Sequence, residues 1–394
     1  MKLLMVAGEL SGDAHGGALL AHLRRKLPAL DAYGIGGPRM AEEGLRLLRP
    51  LADLQVHGLL EVVVHLPRLY RVLWGLEAVL DQERPDAVML IDYPGFNLKL
   101  AAAAKARGIP VYFYSSPQVW AWRGGRLRTI ARVVDLMIVL FPFEAPLYRQ
   151  AGVDVEFLGH PLVGQQAGAE EVAALRDRLA LAAGRPVVAV MPGSRPSELK
   201  RNLPPLLAGI RLIEAAGYRA HFVLPVAASL DAAEVSATVR ASGTGVIVAE
   251  QAFLPLLRLA ELGLVASGTA TLQMGMAGVP FVMVYRVAPL SYALARRFAY
   301  VRHLSIVNIL AGREVVPELL QGDFTPERLR DRFLALAQDG QARDRMRREL
   351  AEVTGTLGRP GAYERAAECI AGRLAALAGQ AAGGPSHRNG AMSP

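Results

Sequence analysis

Apolar residues fall in short unbroken runs, at positions 2–7, 32–35, 87–91, 111–114, 136–139 and 156–158, and again at 187–191, 220–223, 246–249, 264–266 and 279–284. Between most neighbouring runs lies a stretch whose apolar positions recur every three or four residues, as at 16–26, 97–107, 172–181 and 203–215. Short runs without polar alternation predict strands buried on both faces. The intervening period predicts helices laid over them, so each half of the chain reads as a parallel sheet wound with helices. The pattern lapses at about 160–185, where Gly-His-Pro-Leu-Val-Gly leads into a charged helix, and then restarts. Two doubly wound α/β domains are therefore expected, at 1–165 and 185–360, followed by a helix at 361–377 and a disordered tail at 378–394 rich in Gly, Ala, Ser and Pro. Such domains bind ligands beyond the carboxyl ends of their strands, so the chemistry is expected in the loops that follow strands, facing one another across a cleft.

The longest uncharged window, 262–285, has the length of a membrane span but holds Gly263, Gly268, Gly275, Gly278 and Pro280, and so predicts strand, glycine loop, helix and strand in a buried core. Composition excludes general disorder, with 52% hydrophobic and 20% charged residues among 394. The lone Cys369 rules out an internal disulfide and any multi-cysteine metal framework. The lone cysteine also reads as a reducing compartment, so a cytoplasmic location is expected, and the apolar run before Gly8 is too short for the core of a signal peptide. A net charge of +8 biases the chain towards anionic partners without choosing between phosphates, nucleotides, nucleic acid and anionic lipid.

Chemistry-bearing motifs follow the predicted strands. In Gly8-Glu9-Leu10-Ser11-Gly12-Asp13-Ala14-His15-Gly16 the glycines recur every four residues, which disfavours a nicotinamide or flavin site. Ser11 or Asp13 is placed to cap the next helix, and the amides there suit an anion or a sugar hydroxyl; a plain capped turn is the competing reading. Ile91-Asp92-Tyr93-Pro94-Gly95-Phe96-Asn97 ends a strand with a carboxylate, a candidate general base, and Asn97 is the expected cap of the following helix. Tyr114-Ser115-Ser116-Pro117-Gln118-Val119-Trp120-Ala121-Trp122-Arg123 runs into further arginines; sugar stacking with phosphate pairing, stacked single-stranded nucleic acid and a structural corner all fit it.

Pro192-Gly193-Ser194-Arg195-Pro196-Ser197-Glu198 reads as a phosphate seat without the lysine of a P-loop, and Ser267-Gly268-Thr269-Ala270-Thr271-Leu272-Gln273 as a second, with Gln273 in reach of a ribose hydroxyl. Two seats favour a diphosphate. No D-x-D and no histidine pair at metal-ligand spacing occurs, so no metal and no cofactor is expected, and a leaving diphosphate would be stabilised by helix N-termini, Arg195 and Arg286. His160 reads as a hinge or structural residue. The segment 56–80 is very apolar, carries Arg68 and Arg71, and is expected to break at Pro67; it reads either as a surface for acyl chains and the membrane interface or as helices packed in the first domain.

Together GELSGDAHG, GIGGPRM, HGLLEVVVHLP, IDYPGFN, SSPQVWAWR, FPFE, GHPL, MPGSRPSE, SGTATLQ and NILAGRE resemble, in this order and to about residue 370, the lipid-A-disaccharide synthase family of glycosyltransferases. The resemblance implies a GT-B type fold of two Rossmann-like domains facing across a cleft. It implies an inverting transfer from UDP-2,3-diacylglucosamine to 2,3-diacylglucosamine 1-phosphate that yields the β-1,6-linked disaccharide 1-phosphate and UDP. It also implies peripheral contact with lipid on the inner face of the cytoplasmic membrane and no nucleic acid; a homodimer is one option for the assembly. Residue by residue, it places Glu9 and Asp92 at the reacting end, with Asp92 the base for the acceptor hydroxyl. Ser11, Gly12, Asp13, Ser116, Trp120 and Arg123 fall on substrate, and Gly193, Ser194, Arg195, Gly268, Thr269, Ala270, Thr271, Gln273 and Asn308 on the nucleotide. Gln273 stands where the family commonly has Glu, Gly95 where Asp is usual, Val307 where Pro is usual, and Gly164 where Asp often follows GHPL. The alternatives are another lipid-linked UDP-sugar transferase, a UDP-sugar epimerase, or a nucleotide-sugar-binding protein without turnover, the last disfavoured by the retained Glu9 and Asp92.

Overall fold

The computed structural model describes residues 1–54, 59–117, 119–120, 125–288 and 303–382, with backbone alone for 59–65 and 380–382. The chain divides into two units: unit 1 is Met1–Pro161 with the chain from Gly358 onward, and unit 2 is Leu162–Leu357. In unit 1 the strands are β1 (Lys2–Ala7), β2 (Asp31–Gly36), β3 (Arg46–Pro50), β4 (Ala87–Ile91), β5 (Val111–Tyr114), β6 (Leu136–Val139) and β7 (Val155–Phe157). They form one parallel sheet in the order β3-β2-β1-β4-β5-β6-β7. Unit 2 repeats the design with β8 (Val187–Met191), β9 (His221–Val226), β10 (Ile247–Glu250), β11 (Leu262–Ala266), β12 (Phe281–Tyr285) and β13 (Glu318–Leu320), ordered β10-β9-β8-β11-β12-β13 and also parallel.

The central strands are the uninterrupted apolar runs of the sequence because helices cover both of their faces: every residue of β4 is fully buried. The pairing of β1 with β4 puts Ala7 opposite Ile91, so Gly8-Glu9 and Asp92 emerge side by side at the carboxyl edge of the sheet. The order reverses at β1 and at β8, and the loops of interest cluster beside those points.

Four expectations need correction. The sequence pattern contains no run for β3 or β13, each at one edge of its sheet: Arg46-Leu-Leu-Arg-Pro is largely exposed and Glu318-Leu-Leu has three residues, so neither needs a continuous apolar stretch. Helices start earlier than their apolar periods, at Leu10–Lys26, Pro94–Ala106, Ala169–Arg178 and Pro196–Ala215, which draws Ser11, Gly12, Asp13 and Asn97 into helices. The segment 56–80 does not break at Pro67: a helix runs continuously over Leu59–Glu83, since proline removes one N–H while the flanking turns keep theirs, and 55–58 lie outside the described residues. Val72, Leu73, Leu76 and Leu80 of this helix join the core, whereas Leu66, Tyr70 and Trp74, spaced by four, form an exposed stripe with Trp74 60% accessible. Finally, the last helix extends over Ala362–Ala382 and so covers part of the tail expected to be disordered; 383–394 lie outside the described residues.

That helix belongs to unit 1, where Ala366, Ala367, Ile370 and Leu374 share a core with Leu19, Leu20 and Leu23 of the Leu10–Lys26 helix. The window 262–285 folds as β11, the Thr269–Met276 helix and β12, all within unit 2. Among the described residues no helix is long and apolar enough to cross a membrane.

Candidate active site

Asp92 follows β4 in an unusual turn. Asp92 and Tyr93 both adopt left-handed backbone, with φ of 50° and 48°, and Ser115, just beyond the adjacent β5, does the same at 66°. Left-handed conformations of non-glycine residues cost of order 1 kcal/mol or more each and persist only where the surroundings enforce them. Here Asp92 N–H donates to the Tyr114 carbonyl at 3.0 Å, and buried Asn97 donates its amide to the carbonyls of Asp92 at 2.7 Å and Ile91 at 3.3 Å. Asn97 is thus a clamp inside the helix and not its cap; Tyr93 takes the cap position, with Pro94 opening the helix. Burial, aided by the charge of Glu9, pushes the Asp92 carboxyl up to about 6 against the backbone hydrogen bond from Tyr93. A pKa near neutrality suits a residue that must accept a proton.

Glu9 is exposed and caps the first helix through its backbone, with no side-chain bond. Gly8 is obligatory beside it, since a Cβ there would lie 2.3 Å from the Tyr93 ring. Ser11 is exposed on the same turn, whereas Gly12 is buried against Ala7 and Ile91. Asp13, expected on substrate or as a cap of its own helix, lies inside that helix and does not cap it. It is 2% exposed, and its carboxylate takes the N–H groups of Gly37 at 2.7 Å, Met40 at 3.1 Å and Arg39 at 3.0 Å, capping the Pro38–Glu42 helix instead.

Ser116 and Trp120 are brought together: Ser116 Oγ and Trp120 Nε1 both donate to Oε1 of buried Glu144, at 2.7 and 2.9 Å. Arg123 lies outside the described residues. His160 is 5% exposed beside Phe141, and burial holds both it and His15 down at about 4, so neither is charged at neutral pH.

In unit 2 a cavity of about 770 Å³ lies beyond the carboxyl ends of β8 to β11 and is lined by Gly193, Ser194, Arg195, Gly268, Thr269, Ala270 and Gln273. Its two seats differ. At Gly268, where φ is 137°, the Thr269–Met276 helix begins with no side-chain cap, so its first amides and the helix dipole face the cavity. At the other seat the Ser194 and Arg195 amides are already taken by Oε2 of Glu198, at 3.0 and 3.3 Å, leaving the 74% exposed Arg195 side chain as what that turn presents. Thr271 is fully buried and bonds the Gly268 carbonyl, which shapes the turn.

Two residues expected at the ligand bond protein groups in this structure. Asn308 is fully buried: its carbonyl oxygen accepts from the amides of Val315 and Val316, and its amide group donates to Glu318 and the Val316 carbonyl. Arg286 spends its guanidinium on the carbonyls of Gln321 and Phe324. Glu144, Glu198 and the cavity wall at Gln251–Pro255 carried no assignment in the sequence; Gln251 and its neighbours follow a predicted strand, and that position was the available signal. Among the described residues no cluster of three or more His, Cys, Asp or Glu is arranged to hold a metal ion.

Two Rossmann-like units, one with a strained carboxylate turn and one with an open anion seat, define a GT-B type α/β protein. The fold is shared with the calicheamicin glycosyltransferase CalG4, at 17% identity, 97% of this chain, 99% of that one and a TM-score of 0.59. It is shared equally with UDP-GlcNAc 2-epimerase from Neisseria meningitidis bound to UDP-GlcNAc, at 14% identity, 95% and 100% coverage and a TM-score of 0.59, so fold alone does not select transfer. Sequence does. Residues 3–371 match the lipid-A-disaccharide synthetase family, and lipid-A-disaccharide synthase from Anaeromyxobacter dehalogenans strain 2CP-1 is 44% identical over 94% of this chain and 97% of that protein. The chain belongs to the lipid-A-disaccharide synthetase family and is a glycosyltransferase of lipid A disaccharide synthesis.

Proposed function

We propose that the enzyme joins UDP-2,3-diacylglucosamine to 2,3-diacylglucosamine 1-phosphate, with Asp92 as the general base. The acceptor hydroxyl gives its proton to the Asp92 carboxylate while its oxygen bonds the anomeric carbon. The bond from that carbon to the UDP oxygen breaks, and its electron pair leaves on the diphosphate. Attack from the face opposite the leaving group inverts the centre and gives the β-linked product. Arg195 and the N-terminus of the Thr269–Met276 helix balance the charge that develops on UDP, and Gln273 meets the ribose. The observation that carries this reading is the Asp92 turn: a carboxylate raised to about 6 on a backbone held in left-handed conformation. Incubating the protein with both substrates and scoring disaccharide 1-phosphate and UDP tests it, and full turnover in EDTA is expected. Absence of product from folded protein contradicts the reading.

The enzyme works, on this reading, at the inner face of the cytoplasmic membrane. Support comes from the exposed Leu66, Tyr70 and Trp74 stripe, which with Pro67 and Arg71 lines a shallow depression. Arg68 on the same helix is paired with Asp53 at 2.7 Å. Trp74→Ser should leave melting unchanged and reduce binding to anionic vesicles; unchanged vesicle binding contradicts the membrane assignment.

A further inference from the structure

Glu144 opens the short Glu144–Gln150 helix after β6, and it is 2% exposed. A carboxylate so buried survives only with its lone pairs filled. One bond is local, from the N–H of Phe141 three residues earlier at 3.0 Å. The other oxygen is filled from a different loop, by Ser116 Oγ and Trp120 Nε1 converging on Oε1. Phe143 adds an edge-to-face contact with the Trp120 ring at 5.1 Å. The indole, which stays partly accessible, is therefore fixed by a hydrogen bond from its N–H and by an edge-to-face contact with a second ring. Its loop starts from strained Ser115, and the residue before that, Tyr114, accepts the Asp92 N–H. The pinned indole and the Asp92 carboxylate thus follow neighbouring strands of one sheet.

We propose that Glu144 is a positioning residue: through Trp120 and Ser116 it sets the indole as the platform on which the acceptor glucosamine ring stacks. This rests on the reading above, which supplies the acceptor. Glu144→Gln keeps the size but removes the charge and sets its NH2 against a donor at one of the two oxygen positions, so the bonds that hold the indole are weakened.

The test uses the full chain with ¹⁵N-labelled tryptophan, the Trp120 indole resonance being assigned by its loss in Trp120→Phe. In the wild type this N–H should exchange slowly and shift on addition of detergent-dispersed 2,3-diacylglucosamine 1-phosphate. In Glu144→Gln it should exchange fast, and KM for the acceptor should rise about tenfold with kcat at saturation and UDP affinity within about twofold. If that variant does not fold, Ser116→Ala removes one donor alone and should raise acceptor KM about threefold with faster Trp120 exchange. A folded Glu144→Gln, or Ser116→Ala, with unchanged exchange and unchanged KM overturns the proposal, as does a Trp120 resonance that ignores the acceptor. Failure of the wild type to form disaccharide would instead defeat the functional reading, while the exchange measurement still decides whether Glu144 holds Trp120.

Discussion

Two segments of unit 1 that follow a central strand carry an aspartate, Asp13 in the first turn of a helix and Asp92 at the strand end, and they do opposite things with it. After β1, Asp13 turns inward and spends both carboxylate oxygens on three backbone N–H groups of a neighbouring helix. After β4, the backbone of Asp92 is gripped from both sides while its carboxylate, facing Glu9, is raised to about 6. A carboxylate saturated with donors is scaffold, and one whose backbone is held but whose charge is poorly compensated is available for chemistry. Glu198 and Glu318 fall on the scaffold side by the same test, each capturing backbone amides.

The contrast can be broken by mutation. The largest effect is expected at Asp92: Asp92→Asn should lower kcat by about 10²–10⁴-fold with UDP affinity unchanged, since only the proton acceptor is lost. Turnover near wild type would erase the distinction. Asp13→Ala leaves three amides without their acceptor and should cost about 3 kcal/mol of stability, read by denaturant melting, while UDP affinity in the folded fraction holds. A stable Asp13→Ala with weakened substrate binding would move Asp13 to the reactive side.

Arg195→Ala should weaken UDP by about 1.5–3 kcal/mol, as for a charged hydrogen bond lost from a phosphate site, measured by titration calorimetry. The smallest effect has the opposite sign. The folded pKa of Asp92 lies above its unfolded value of 3.8, so the ionised side chain opposes folding at neutral pH, and that penalty fades as pH falls through about 6. Asp92→Asn should therefore stabilise the protein at pH 7 by about 1–3 kcal/mol, helped by the tolerance of asparagine for left-handed backbone, and the gain should shrink at pH 5.

The contrast also explains what the sequence could say. The central strands and the loops after them were legible because burial on both faces leaves a continuous apolar run, and Glu9 and Asp92 were found by standing at the ends of such runs. The roles of Asp13, Asn308 and Thr271 were not legible. Each sits in a ligand-like motif, yet the partners of Asp13 and Asn308, Gly37–Met40 and Val315–Glu318, lie outside the motif and are brought in by packing, while Thr271 turns back on the Gly268 carbonyl of its own loop. Glu198 was hidden for the converse reason: it answers the very amides that made its motif look like an empty anion seat. Edge strands β3 and β13 escaped because partial exposure removes the need for an apolar run.

The central claim is that ionised Asp92, tuned by burial and by Glu9, takes the acceptor proton. The most direct measurement is kcat/KM against pH for the wild type and for Glu9→Gln. Activity needs the ionised form, so the wild-type profile should fall on the acid side through about 6. The acceptor phosphate also titrates near 6, but removing the charge of Glu9 leaves the substrate unchanged and lowers the Asp92 pKa alone. The account predicts that the acid limb of Glu9→Gln moves to lower pH; an acid limb that stays in place, or a wild-type rate flat from pH 5 to 7, would contradict it.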